Sequence, residues 1–239
     1  MQYIYGPVNS RRLGLSLGIS LTTYKVCNFD CIYCQLGKAH TLTGERKEYT
    51  KVNNIIEELK RYLKDSPQQA GRLQYITLSG LGEPTLNINI GEVINQLKPI
   101  TNIPLAVITN ASKLSDFDIR VSLLKADLIV PSLDAVVPEV FAKIDRPKQD
   151  IDLEGIINGL INLRKEFRGK IWLEVMLVRG VNDDMRYIKK LNQVIVEINP
   201  NKIHLNSPVR TTSEPDLEPV DKNKLSKIKE LLGDKCEIL

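Results

Sequence analysis

Apolar and polar positions alternate in blocks along this chain, and the blocks change period. From 52 to 64, VNNIIEELKRYLK places Ile55, Ile56, Leu59 and Leu63 on one helical face with charges opposite. A β-rich run, LQYITLSG, follows at 73–80 and ends in small residues. The alternation then repeats. Helices are predicted at 91–98, 116–125, 153–167, 185–198 and 221–232, and strands at 105–110, 127–134, 170–178 and 202–207. With LGLSLGISLTT at 13–23 as a first strand, the pattern amounts to about six β-then-α units, which implies parallel strands joined by right-handed crossover helices. Each helix is apolar on one side only, as expected of helices covering the convex face of a curved sheet or barrel.

In such an architecture, functional residues gather where the strands end and the βα loops converge. Each distinctive polar or glycine motif falls just after a predicted strand. The cysteines of YKVCNFDCIYCQLG follow the first, SGLGEP the second, TNAS the third, PSLDA the fourth, RGVND the fifth and NSPVR the sixth. They are expected to share one rim.

Composition narrows the class without naming a chemistry. With 239 residues, 42% hydrophobic and 26% charged, the chain suits one globular domain spanning 1–239. The start has no apolar run following a basic one, and no apolar stretch reaches membrane-spanning length, so a cytoplasmic protein is expected. A net charge of +4 is mildly basic and carries little weight, since segments such as GERKEYTK and LRKEFRGK mix acids with bases.

The four cysteines carry more. Cys27, Cys31 and Cys34 crowd into one short loop and Cys236 stands alone near the end, which is not the pattern of a secreted disulfide framework. Soft thiolates favour zinc or iron–sulfur clusters. A structural zinc site needs a fourth protein ligand, and only His40 is near in sequence. A [4Fe-4S] cluster on three cysteines instead leaves one iron open to a substrate or cofactor.

A C-x-x-x-C-x-x-C triplet after the first strand, with the aromatic Tyr33 just before its last cysteine, resembles the radical S-adenosylmethionine (radical SAM) superfamily. The resemblance implies a partial (β/α)6 barrel in which S-adenosylmethionine chelates the open iron. One electron from the cluster then yields methionine and a 5′-deoxyadenosyl radical that abstracts hydrogen from a substrate. It also implies an electron donor such as flavodoxin or ferredoxin.

SGLGEPTL is similar to the family's glycine-glycine-glutamate-proline element, with Leu81 interrupting the double glycine. Gly80, Gly82 and Glu83 are then expected beside the methionine amino group. Asn110, Ser132 and Asp134, short polar groups at strand ends, are placed either to bond ribose hydroxyls or the methionine portion or to cap helices. By resemblance, Val178 lines the adenine pocket, and otherwise it is barrel core.

Arg11 and Arg12 are adjacent on an extended segment, so at most one faces the rim, and Arg210 raises the same choice at the last strand. Cys236 is expected in a short tail with no role. Together with IDRP at 144–147, the motifs resemble the tRNA wybutosine-synthesis branch and its short relatives. No cysteine precedes Cys27, so that branch's second cluster is not expected. Three functions remain open: a radical enzyme acting on a small molecule or a tRNA base, an activase installing a glycyl radical on a partner protein, and a zinc-binding module.

Overall fold

The computed structural model describes residues 1–38 and 42–239; His40 lies outside the described residues. Among them, eight strands form one sheet in chain order: β1 (Ile4–Ser10), β2 (Gly14–Ser20), β3 (Tyr75–Ser79), β4 (Leu105–Thr109), β5 (Leu128–Pro131), β6 (Lys170–Met176), β7 (Lys202–Asn206) and β8 (Cys236–Ile238). β1 and β2 are antiparallel, and every later neighbour pairs parallel. The helices are α1 (Val52–Asp65), α2 (Pro67–Ala70), α3 (Ile90–Leu97), α4 (Phe117–Leu123), α5 (Pro138–Ile144), α6 (Leu153–Glu166), α7 (Met185–Ile198) and α8 (Lys222–Leu232). The six expected βα units are present as an open, partial barrel, with both α5 and α6 in the β5 unit. No helix of the described residues is long and apolar enough to cross a membrane.

Two strands lie beyond that expectation. β1 reads IYGPVNS and buries only Ile4, so it carries no period-2 signal of its own and takes its register from β2. β8 is three residues long, and Cys236 on it is 1% exposed against β7 rather than lying in a tail.

The strands divide their residues between two layers because successive side chains point to opposite faces. Leu17, Ile19, Ile76, Leu78, Val107, Ile129, Leu173, Val175, Ile203 and Leu205 face outward and join the main core. The inner layer holds a small apolar cluster of Leu13, Ala106, Leu128 and Val130, with Tyr75, Ile108 and Trp172 against it. Alternate inner positions are polar: Ser16, Ser20 and Thr77 on one side, Glu174, His204 and Asn206 on the other, all buried. Tyr5 lies flat against Gly18, where a Cβ would stand 2.0 Å from its ring, and its hydroxyl meets Ser79 Oγ at 2.5 Å.

The turn between β1 and β2 reaches across the open side of the barrel. Arg11 donates to the Leu239 carbonyl beyond β8 (2.9 Å), Arg12 pairs with Glu174 on β6, and Leu13 enters the inner cluster. One arginine thus faces inward and its neighbour does not.

His204 stacks edge-on against Trp172, with ring centroids 5.3 Å apart, and burial lowers its pKa to about 4. An unfolded chain takes up this proton near the ordinary histidine value, so the unfolded state binds more protons between about pH 6.5 and pH 4. Stability from this residue is therefore present at neutral pH and is lost as pH falls through that window, on the order of 2 kcal/mol. Urea unfolding of wild type and His204→Leu at pH 7.5 and pH 4.5 should show a smaller acid loss in the variant; equal losses would exclude His204 as the source.

Candidate functional site

The cysteine loop hangs from three neighbours. On one side Val26 pairs with the glycine segment after β3: its N–H donates to the Leu81 carbonyl and its own carbonyl accepts from Glu83 N–H, both at 2.9 Å. On another side the IDRP segment receives the loop, with Ile32 N–H donating to Ile144 (2.9 Å) and Asp30 N–H to Asp145 (3.1 Å). Ser213 Oγ lies within hydrogen-bond distance of the Cys31 and Ile32 carbonyls, and Lys25 donates its ammonium to the Gly37 carbonyl. The loop has no regular secondary structure of its own, so these bonds stand in for it.

Cys27, Cys31 and Cys34 all line one cavity of about 270 Å³, and none forms a disulfide. Tyr33, Gly82, Glu83, Asn110, Ser132 and Asp134 line the same cavity. Gly80 and Val178 do not. Gly80 packs against Ser20, and Val178, 1% exposed, donates its N–H to Asn182 Oδ1 (2.8 Å). Arg12, Ile108, Glu174 and Met176 also line the cavity, whereas Arg210 does not; it is exposed, beside the lining residue Gln35.

Glu83 is 2% exposed and holds the strand ends together. Its Oε1 accepts from Thr85 N–H (3.1 Å) and from the hydroxyls of Thr85 and Thr109 (each 2.6 Å), and its Oε2 accepts from Asn110 N–H (2.6 Å). Burial raises its pKa, and these four donors work against that rise. Glu83→Gln turns an acceptor into a donor that faces donors. The variant should lose about 2–3 kcal/mol of stability in chemical unfolding, and a loss below about 0.5 kcal/mol would show that the network is dispensable.

None of Asn110, Ser132 and Asp134 caps a helix. Asn110 Oδ1 accepts from Ser112 N–H, while its Nδ2 donates to Asn28 Oδ1 (2.8 Å) and lies 3.7 Å from Cys27 Sγ. Asp134 accepts from Met176 N–H (2.7 Å) and from the Tyr33 hydroxyl. Tyr33 also reaches Asp145 Oδ1 (3.4 Å), which Cys31 Sγ contacts at 3.5 Å. The helix caps nearby are Asp116 for α4 and Val137 for α5.

Several of these residues escaped the sequence reading. Asn28 acts only through tertiary contacts and nothing local marks it, while Asp145 lies within the IDRP string but its contact with Cys31 is tertiary. Glu174 had a readable signal: it is the one acid inside KIWLEVM, a run otherwise suited to a parallel strand covered on both faces.

Two of the loop's thiols hold their protons strongly. Burial pushes the Cys27 thiol up to about 12 and lifts Cys31 well above its ordinary value, with the Glu83 and Asp145 carboxyls adding to the respective shifts. Such thiols stay protonated unless a cationic centre replaces their protons. No three His, Cys, Asp or Glu side chains among the described residues converge as they would on a single ion. A four-iron cluster places its ligands on separate corners, so three cysteines spread around one cavity wall fit it in number and softness.

A partial barrel whose first βα loop presents three cysteines to a cavity at the strand ends defines the class. The family model for the radical SAM superfamily matches residues 21–191, and the chain belongs to that superfamily. Enzymes of this family bind a [4Fe-4S] cluster and S-adenosylmethionine. More particularly, the chain is 34% identical over 228 residues to a UPF0026 protein of Methanocaldococcus jannaschii, covering 95% of this chain and 70% of that one. It is also 38% identical over 235 residues to a Brachyspira hyodysenteriae protein named GTPase Obg, a match covering 98% of this chain and 34% of the relative. The chain thus spans about a third of that relative's length. Among solved structures it resembles TYW1 with a lysine–pyruvate adduct bound, with a TM-score of 0.67 at 20% identity, covering 91% of this chain and 72% of that one. That likeness concerns the fold.

Proposed function

We propose that this protein is a radical SAM enzyme that cleaves S-adenosylmethionine reductively and takes hydrogen from a small molecule or a tRNA base held in the same cavity. The observation that carries the reading is the shared lining: Cys27, Cys31 and Cys34 face one cavity together with Glu83, Asn110, Ser132 and Asp134. Cys27, Cys31 and Cys34 would hold the cluster. When bound, cluster and cofactor together supply one-electron cleavage of a carbon–sulfur bond, chemistry that no side chain of the protein can perform.

The chain's own residues orient and enclose. Ser132 and Asp134 offer acceptors to hydroxyl or ammonium groups, and the Asn110 amide lies beside Cys27. Gly82 keeps the backbone of the strand-end loop close to the cavity, and Ile108 and Met176 give it an apolar wall. An apolar wall limits water around a reactive centre. Electrons would come from a small donor such as flavodoxin or ferredoxin.

The test is anaerobic. The protein is reconstituted with iron and sulfide, given dithionite and S-adenosylmethionine, and assayed for 5′-deoxyadenosine by mass spectrometry. Its formation in proportion to protein is the expected result. A fully loaded cluster that neither forms it nor changes its electron paramagnetic resonance signal on titration with S-adenosylmethionine would overturn the reading.

A further inference from the structure

The cavity is lined from both ends of β2. The cysteine loop follows the C-terminal end of β2, whereas Arg12 lies just before β2 begins, at the opposite end of the strand. Both line the same cavity. A charged side chain carried from the strand starts into the barrel interior is costly to desolvate and calls for a partner.

That partner is Glu174, whose side chain is 9% exposed against 30% for Arg12. Glu174 Oε2 accepts from Arg12 Nη1, and Oε1 accepts from Asn206 Nδ2 at 2.7 Å. Burial raises the Glu174 pKa, opposed by Arg12 and Asn206. The carboxylate is thus held from two sides and fixes one corner of the guanidinium. The remaining Arg12 side-chain donors, including its Nε and Nη2 edge, meet no acceptor among the described residues. Asn206 is 2% exposed, and its Oδ1 is also without a partner among them.

A guanidinium presents five N–H donors in a rigid fork suited to two oxygens of one oxyanion. Resting on the function proposed above, we propose that Arg12 anchors an oxyanion of the substrate at the inner end of the cavity, so that the substrate is a carboxylate- or phosphate-bearing molecule. Glu174 positions the guanidinium and keeps the site neutral until the anion arrives. The other end of the molecule then points up the cavity towards the cysteines. Arg12 sets which molecules enter without taking part in cofactor binding.

A purely structural ion pair predicts something different, and charge substitution separates the two. In an anchor, Glu174 competes with the incoming anion for the same guanidinium. Removing its charge in Glu174→Gln should tighten binding, while Arg12→Gln/Glu174→Gln keeps an uncharged pair of similar shape and should weaken it.

The experiment is isothermal titration of the cluster-loaded protein, saturated with S-adenosylmethionine, against inorganic phosphate and separately against acetate. Wild type is expected to bind one equivalent of the preferred anion. Glu174→Gln should bind it about tenfold more tightly and Arg12→Gln/Glu174→Gln at least about tenfold more weakly than wild type. The stronger of the two anions identifies the substrate's acidic group. Equal affinity in Glu174→Gln and the double variant, or no binding of either anion to Glu174→Gln, overturns the proposal. Formation of 5′-deoxyadenosine by wild type is measured on the same preparation, so a failure of the radical reading is told apart from a failure of the anchor.

Discussion

Replacing Cys31 by alanine abolishes 5′-deoxyadenosine formation and leaves the fold in place: this is the largest effect the structure predicts. The thiol is partly buried against Asp145 and lines the cavity, whereas the loop around it is held by backbone atoms. Cys34 N–H donates to the Cys31 carbonyl (3.1 Å), Ser213 Oγ meets that carbonyl (2.8 Å), and Glu214 N–H donates to Ile32 (3.0 Å). None of these bonds uses sulfur. The variant should keep its circular dichroism and its unfolding midpoint without metal, lose its iron, and fall in cleavage by more than about 100-fold, the upper range for merely disturbing a metal ligand's outer partners. Cys236→Ala is the matched control, since that cysteine is buried between β7 and α8 elements of the core and should keep full cleavage at a cost of about 1 kcal/mol of stability. Cleavage retained in Cys31→Ala would falsify the ligand assignment.

Gly82→Ala has the second largest expected effect, and it acts on fold and site together. Gly82 adopts φ +130°, a conformation that side chains rarely take, and a Cβ there would stand 1.8 Å from the Val26 carbonyl oxygen and 2.6 Å from its carbon. The atoms in the way are backbone, so no rotamer change relieves the overlap. The strand-end loop must move away from Val26, and the two 2.9 Å bonds joining them are lost. Backbone strain and two broken buried bonds sum to about 3–5 kcal/mol. Because Val26 directly precedes Cys27, cluster loading should fall with stability. Chemical unfolding and iron analysis measure both. Leu81→Ala, at an exposed neighbouring side chain with the same backbone, should stay within about 0.5 kcal/mol of wild type. Similar losses in the two variants would mean that the close approach at Gly82 is not what matters.

The glycine therefore has a role the motif alone does not reveal. Its resemblance to a cofactor-binding element suggested that small residues clear space for a ligand, and the structure adds that Gly82 clears space for the cysteine loop itself. Glu83 is similar: its carboxylate lines the cavity, yet both oxygens are already engaged by Thr85, Thr109 and Asn110. Site geometry here depends on residues that bind one another before they bind anything else.

The residue pattern on its own set the βα order, the outward apolar face of each helix, and the gathering of polar motifs at one end of the strands. It could do so because periodicity and turn chemistry are local: Ile55, Leu59 and their neighbours need only a helix to share a face, and a cysteine triplet needs only a short loop to share a wall. The rest came from long-range contacts. β1 and β8 carry too little pattern to announce themselves and exist because β2 and β7 offer them an edge. Asp145 meets Cys31 across 114 residues of chain, and Arg12 meets Glu174 across 162. Those pairings arise from barrel curvature, which brings the start of β2 opposite the middle of β6, and no local feature of either segment encodes that distance.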